Sequence, residues 1–459
     1  MPLVSINPAT GQTIHRFIEH SRDEVDRMLQ RAAQAFLGWR ELAPESRVVH
    51  LRTLAAVLTS ERDALATLIT AEMGKPLSQA RAEIEKCAAT SLYYAEHGPA
   101  FLQPEHPPSA PDHAQVVFEP LGPVLAIMPW NFPFWQALRA AIPTLLAGNT
   151  VLLKHSANVC GCALAVEEVF KRAGFPSGVF KTLLVGSAAI PRLIASDHIA
   201  GVTLTGSTAA GKQVASLAGA ALKPCVLELG GSDPYLILGD ADLAQAAEAC
   251  AASRLLNSGQ SCIAAKRIII VESVRHAFEE QFIARMRARR VGDPLDDATE
   301  VGPLARADLR DELHRQVRES TRHGANLVLG GQIPDGPGFF YPPTVLSEVT
   351  KGMPAYDQEL FGPVAALISA PDEDTAVALA NDSRFGLGAA IFTRDLERGT
   401  ILARERLEAG MVFINDYVRS EPSLPFGGIK QSGYGRELGA DGLRAFVNKK
   451  TIWQRPASR

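Results

Sequence analysis

The stretch "GVTLTGSTAAGKQVASLAGAAL", residues 201 to 222, opens as an apolar strand pattern, breaks at Gly206 and resumes as a helix. A short β-rich run bounded by a Gly-Ser turn, then apolar residues at helical spacing, marks one βα unit. The alternation continues upstream. There "GPVLAIMP" (122–129) reads as a strand, "FPFWQALRAAIPTLLAG" (132–148) as a helix ending at Gly148, "NTVLLKH" (149–155) as a strand and "CALAVEEVFKRAG" (162–174) as a helix. Strands alternating with helices predict a parallel, doubly wound sheet.

A second alternation starts near Cys225 and runs through "CVLEL", the helix "DLAQAAEACAASRLL", "RIIIVE", a long helix near 306–325, "AALISA", "LGAAIFT" and "MVFIN". This is read as a second α/β domain. Ahead of both, residues 22 to 98 read as helices, including one stretch, "AAVLTSERDALATLITAEM" (55–73), with apolar residues at helical spacing. The prolines of "LQPEHPPSAPDHAQ" (102–115) forbid a helix and predict a connection or an edge hairpin. "NKKTIWQRP" (448–456) has β character and no helix to cover it, which predicts pairing with a distant segment.

At 459 residues and 46% apolar content the chain can bury two or three domain cores. Its formal net charge of −4 and lack of any Lys/Arg block argue against nucleic acid and membrane surfaces as partners. No apolar run approaches the roughly 18 residues of a membrane span, and "MPLVSINPATG" lacks the charged and apolar regions of a leader. A cytoplasmic protein is expected. Six scattered cysteines, at 87, 160, 162, 225, 250 and 262, suit a reducing compartment, and Cys160 and Cys162 read as packing residues. No metal site is expected.

Four segments carry chemistry. In "NSGQSCIAA" (257–265) Cys262 sits in a run of small and polar residues, a setting for an accessible nucleophile more than for a structural thiol. In "LELGGSDP" (227–234) Glu228 ends an apolar strand, where ligands meet α/β folds, and partial burial there raises a carboxyl towards general-base duty. Its plainer role would be a cap or a salt bridge. In "MPWNFP" (128–133) Asn131 precedes a helix that Pro133 is suited to start, so its amide serves either as an oxyanion donor or as an ordinary cap. In "TGSTAAGKQ" (205–213) Gly206, Ser207 and Gly211 shape a strand-to-helix turn for a phosphate, yet Gln213 stands where a Walker loop needs Ser or Thr.

Taken together, PWNFP, the TGST loop, LELGG, GQSC, "ELFGPV" (359–364) and "PFGGIKQSGYGRE" (425–437) occur in one order, with Glu228 34 residues before Cys262. Over essentially the whole chain this resembles the aldehyde dehydrogenase superfamily. "LLKHSANVCGCA", "LELGGSDP" and "QARAEIEKCA" look most like its short bacterial succinate-semialdehyde dehydrogenases.

The resemblance implies two doubly wound parallel-sheet domains and a small β oligomerisation element. The cofactor-binding domain would span 1–101 and 121–229, the catalytic domain 230–430, and the oligomerisation element 102–120 and 445–459, giving a homodimer or homotetramer. Cys262 would attack the aldehyde, Asn131 and the Cys262 N–H would hold the oxyanion, and Glu228 would activate the hydrolytic water. NAD or NADP would be held by Trp130, Lys154, Gly206, Ser207, Gly211, Glu359 and Phe361. Ala157 stands where NAD-selective relatives carry a glutamate, so both cofactors are expected to work.

For the substrate, Trp135 and Arg139 continue the face of Asn131 at helical spacing and should line the channel to Cys262. Relatives that bind carboxylates carry Arg and Ser at the positions of Arg139 and Ser420. A buried guanidinium needs an anion, which points to an ω-carboxylated aldehyde such as succinate semialdehyde; otherwise Arg139 turns outward to a surface carboxylate. Leu256 replaces a second arginine of some relatives, so carboxylate affinity would be weaker or depend on Arg419, and Ala264 replaces a redox-control cysteine. The rivals are a dehydrogenase for a neutral aldehyde, which Trp135 favours, a phosphate-binding NTPase, which Gln213 disfavours, and a non-catalytic protein on the same fold.

Overall fold

The computed structural model describes residues 3–111 and 114–455. Two large sheets alternate with helices. The first runs in the order Gly433–Tyr434, Cys225–Glu228, Gly201–Thr205, Pro123–Met128, Thr150–His155 and Phe180–Thr182, antiparallel only at its first pair. The second runs Asn326–Leu329, Thr344–Ser347, Val364–Ala370, Arg267–Val271, Pro234–Ile237, Gly388–Phe392 and Met411–Ile414, again antiparallel only at its first pair. The strands PVLAIM and RIIIV are buried at every residue, as central strands covered on both faces must be.

Three features depart from the sequence reading. Cys225–Glu228 joins the first sheet, between Gly433–Tyr434 and Gly201–Thr205, and Pro234–Ile237 is the earliest strand in the chain to join the second. Both are four-residue buried runs, and periodicity does not say which sheet such a run joins. The stretch 55–73 is divided between two helices, Pro44–Ser60 and Arg62–Met73, with the break at Glu61. Gly433–Tyr434 returns from far along the chain to edge the first sheet.

A separate two-stranded sheet pairs Val447–Trp453 with Ala114–Pro120 over seven residues. The expected edge hairpin forms in part, Glu105 bridging Val116, while Asp112 and His113 lie outside the described residues.

Helix Trp135–Leu146 carries Trp135, Gln136 and Arg139. Every one of its residues is buried, among them Leu138 and Leu145, which pack with Leu54, Leu58, Ile84 and Tyr94 of the N-terminal helices. At about 1.5–3 kcal/mol for each large apolar side chain, this cluster holds the helix firmly in place.

Candidate active site

The N–H groups of Phe134 and Trp135 both donate to Glu83 Oε1, each at 2.9 Å. Glu83 lies on helix Leu77–Phe101 and forms a buried ion pair with Lys75, whose Nζ lies 3.7 Å from the centroid of the Phe132 ring. The cap therefore comes from a residue about fifty positions earlier, and Asn131 is released from capping. Its Oδ1 accepts from Gln136 Nε2 at 3.1 Å and its Nδ2 donates to the Gln260 carbonyl at 3.0 Å. A carbonyl only accepts, so the amide orientation is determined, with one N–H left over.

Gln260 belongs to the loop that carries Cys262. Past helix Leu243–Leu255 and the extended Leu256 come three successive left-handed residues, Asn257 (φ 55°), Ser258 (φ 54°) and Gly259 (φ 74°). For the two non-glycines this costs on the order of 1–2 kcal/mol each. Side chains hold the loop there. The Asn257 N–H donates to Gln79 Oε1 at 2.7 Å, Asn257 Nδ2 donates to the Asn131 carbonyl at 2.8 Å, and Ser258 Oγ donates to the Gly302 carbonyl at 3.0 Å. Gly259 faces the backbone of Gly362 so closely that a Cβ would stand 2.3 Å from it. The loop places Cys262 where two cavities meet, one of about 220 Å³ and one of about 190 Å³. Among the described residues the Cys262 N–H takes no protein acceptor.

Burial pushes the Cys262 thiol up to about 12, opposed first by the charge of Lys266 and then by Arg139. Lys266, fully buried, donates to the Cys262 carbonyl at 2.7 Å and pairs with Glu359 Oε1 at 3.1 Å. The sequence reading passed over it. A lysine four positions after a candidate nucleophile, at the edge of the run "RIIIV", was the available signal.

The larger cavity is lined by Trp130, Asn131, Gly206, Ser207, Gly230, Glu359 and Phe361, all but Gly230 foreseen. Trp130 and Phe361 meet edge to face at 5.7 Å, Glu359 accepts the Gly231 N–H at 3.1 Å, and Ser207 caps helix Thr208–Ala220. A Cβ on Gly230 would lie 2.3 Å from Glu359 Oε2, so glycine lets that carboxylate approach the strand end. A helix N-terminus, a carboxylate and an aromatic pair in one crevice at the carboxyl ends of parallel strands fit a dinucleotide. Lys154 and Gly211 lie outside the lining. Lys154 sits on Thr150–His155, and Gly211 packs under Leu229, 2.5 Å from where its Cβ would be.

The smaller cavity contains Trp135, Arg139, Ser420, Leu256 and Arg419, together with Lys86, which the sequence reading did not single out. Arg139 is occupied. Its Nε lies 2.5 Å from Glu437 Oε2, off the hydrogen-bond axis, and both side chains are almost fully buried. The carboxylate partner is therefore internal, neither a surface residue nor a group free for a ligand. Lys86 Nζ donates to the carbonyl and to Oγ of Ser420, both at 2.7 Å, and stands 4.6 Å from the Trp135 ring centroid. A lysine on an amphipathic helix reads as a surface residue, which is why its position gave no signal.

Glu228 ends its strand as expected but lines neither cavity. It is 2% exposed, both its oxygens lack hydrogen-bond partners, and Oε1 faces Gly427, 2.6 Å from where a Cβ would be. Burial, then the charge of Glu437, raises its pKa well above the carboxylate range. The structure brings Cys262, Asn131 and the cofactor-side residues together and leaves Glu228 beside the Arg139–Glu437 pair.

Residues 2–452 match the model of the aldehyde dehydrogenase family. The chain is 49% identical over 453 residues to the succinate semialdehyde dehydrogenase [NAD(P)+] Sad of Escherichia coli K12, covering 98% of this chain and 97% of that one. It is 47% identical to a probable NADP(+) succinate-semialdehyde dehydrogenase of Synechocystis, covering 99% of this chain and 100% of that one. Among solved structures, succinic semialdehyde dehydrogenase from Streptococcus pyogenes in complex with NADP+ superposes with a TM-score of 0.96 at 37% identity, covering 99% and 100% of the two chains. The chain belongs to the aldehyde dehydrogenase family.

Proposed function

We propose that this enzyme oxidises succinate semialdehyde to succinate with NAD or NADP. The observation that carries the reading is the junction at Cys262: a cavity fit for a dinucleotide on one side and a cavity walled by three cations, Lys86, Arg139 and Arg419, on the other. The names of the relatives support the same substrate and both cofactors.

Cys262 Sγ, after losing its proton to solvent, attacks the aldehyde carbon, and the carbonyl oxygen becomes an oxyanion received by the spare Asn131 amide N–H and the Cys262 N–H. A nicotinamide cofactor in the larger cavity would supply the hydride acceptor that the oxidation of the adduct to a thioester requires. Trp130 and Phe361 would wall its ring side, Glu359 would receive ribose hydroxyls, and Ser207 with the helix behind it would receive phosphate. Lys154 and Gly211 act from outside this lining, Lys154 towards the adenosine ribose and Gly211 by seating the helix. Glu228 then takes a proton from water, which attacks the thioester and releases Cys262 and the carboxylic acid. To reach the thioester the Glu228 carboxyl has to turn away from Gly427, and neither of its oxygens has a hydrogen bond to break in doing so. Burial raises both the thiol and the carboxyl and so favours their protonated forms, while the reaction needs both deprotonated, so activity should climb with pH for any aldehyde.

The division into a cofactor domain (1–101 and 121–229), a catalytic domain (230–430) and a β element (102–120 and 445–459) is supported by the two sheets and the Val447–Trp453 pairing. That exposed two-stranded sheet is the surface through which copies would assemble into a homodimer or homotetramer. Six free thiols support a reducing, cytoplasmic setting. No described helix is long and apolar enough to cross a membrane.

The test is kcat/KM for succinate semialdehyde, glutarate semialdehyde, butanal and benzaldehyde with each cofactor. Succinate semialdehyde should lead with both. Equal values for butanal would establish the neutral-aldehyde reading instead, and an NAD preference above about 1,000-fold, about 4 kcal/mol, would contradict dual cofactor use.

A further inference from the structure

Three cations line the smaller cavity, and they differ in what they already hold. Arg139 is paired with Glu437. Arg419 is paired twice, with Asp416 at 2.5 Å and Glu421 at 3.0 Å. Lys86 has no carboxylate within 4.0 Å among the described residues; its bonds go to two neutral oxygens of Ser420. Lys86 is part-buried, and an ammonium partly withdrawn from water with no carboxylate in contact carries a cost that a carboxylate entering the cavity would relieve. The Ser420 hydroxyl, accepting from Lys86, still has its own proton to donate.

We propose that Lys86 is the counter-charge for the distal carboxylate of the substrate, with the Ser420 hydroxyl as its neighbouring donor, and that Arg139 positions Glu437 and does not anchor the substrate. The assignment rests on the succinate-semialdehyde reading above. It explains how the cavity accepts an anion although Leu256 offers no charge and both arginines are occupied.

The experiment compares wild type, Lys86→Met and Lys86→Arg on succinate semialdehyde and butanal. Methionine keeps the length of the stem and removes the charge. The ratio of kcat/KM for succinate semialdehyde over butanal should fall by about 10- to 150-fold in Lys86→Met, the loss expected for a hydrogen bond to a charged group. The fall should lie mainly in KM, and Lys86→Arg should recover part of it. If Lys86 only holds the Ser420 segment in place, both aldehydes lose alike, and the proposal is overturned. A wild-type preference for succinate semialdehyde that survives in Lys86→Met overturns the anchor alone. A wild type without that preference overturns the substrate reading, and the anchor with it.

Discussion

Under the proposed reading, the two cavities that meet at Cys262 would recognise their ligands by different means. The cofactor side is built from backbone and rings: a capped helix, glycines that permit close approach, and an edge-to-face Trp130–Phe361 pair. Its one carboxylate, Glu359, is held by Lys266 and the Gly231 N–H. The substrate side is built from charges, and there the decisive fact is which cation is already paired. A residue type can place a guanidinium in a wall, but only its partner says whether that charge is available.

The largest effect expected concerns the element both cavities share. Cys262→Ser should leave NAD(P) affinity unchanged while turnover drops by several orders of magnitude, since a serine hydroxyl without an adjacent base is a far weaker nucleophile. Retention of a tenth of wild-type turnover would dissolve the comparison at its centre. Glu228→Gln should lower steady-state turnover by about 10²- to 10⁴-fold while a stoichiometric burst of reduced cofactor persists. Loss of the burst would put the glutamate to work on the thiol.

Arg139→Gln sharpens the contrast on the substrate side. It leaves Glu437 buried without its cation and next to Glu228, so stability should fall by about 3–5 kcal/mol, read by denaturant unfolding. Both aldehydes should then lose alike; a loss confined to succinate semialdehyde would return the anchor role to Arg139.

A pH series isolates Lys86 without mutation. Burial, then the charge of Arg139, lowers its pKa to about 8, while Cys87 and Glu421 oppose the shift and Arg419 adds to it. The cation is present below that value and lost above it. The kcat/KM ratio for succinate semialdehyde over butanal should therefore hold level up to pH 7 and fall above pH 8 by up to about tenfold per unit, the thiol's own titration cancelling in the ratio. A flat ratio to pH 9.5 would speak against Lys86. The smallest effect is reserved for Ser420→Ala, where loss of one neutral donor should cost succinate semialdehyde about 2- to 10-fold relative to butanal.

How much of the molecule was legible in the chain divides along the same line. The βα alternation, the strand-end position of Glu228, the loop of Cys262 and the lining residues Trp130, Ser207, Glu359 and Phe361 all depend on local pattern or ordered motifs, and were readable. What was not readable depends on partners far along the chain. Glu83 caps the helix behind Asn131 from another helix, Glu437 meets Arg139 across almost 300 positions, and Lys86 reaches Ser420 across 334. No periodicity encodes such pairings. Periodicity alone assigned Cys225–Glu228 to the second alternation, since a short buried run carries no label for its neighbour, whereas the bounds implied by the resemblance kept it with the first sheet.

The left-handed turn at Asn257 and Ser258 has a consequence for motion. Through Asn257 Nδ2 and the Gln260 carbonyl, the segment bearing the nucleophile is bonded to both the backbone and the side chain of Asn131. The Cys262 loop and the Asn131 amide, proposed above as nucleophile and oxyanion donor, are thus fastened to one small frame, which couples the displacement of either to the other. The entropy of aligning attacker and electrophile is lost once, when the chain folds, instead of at every turnover.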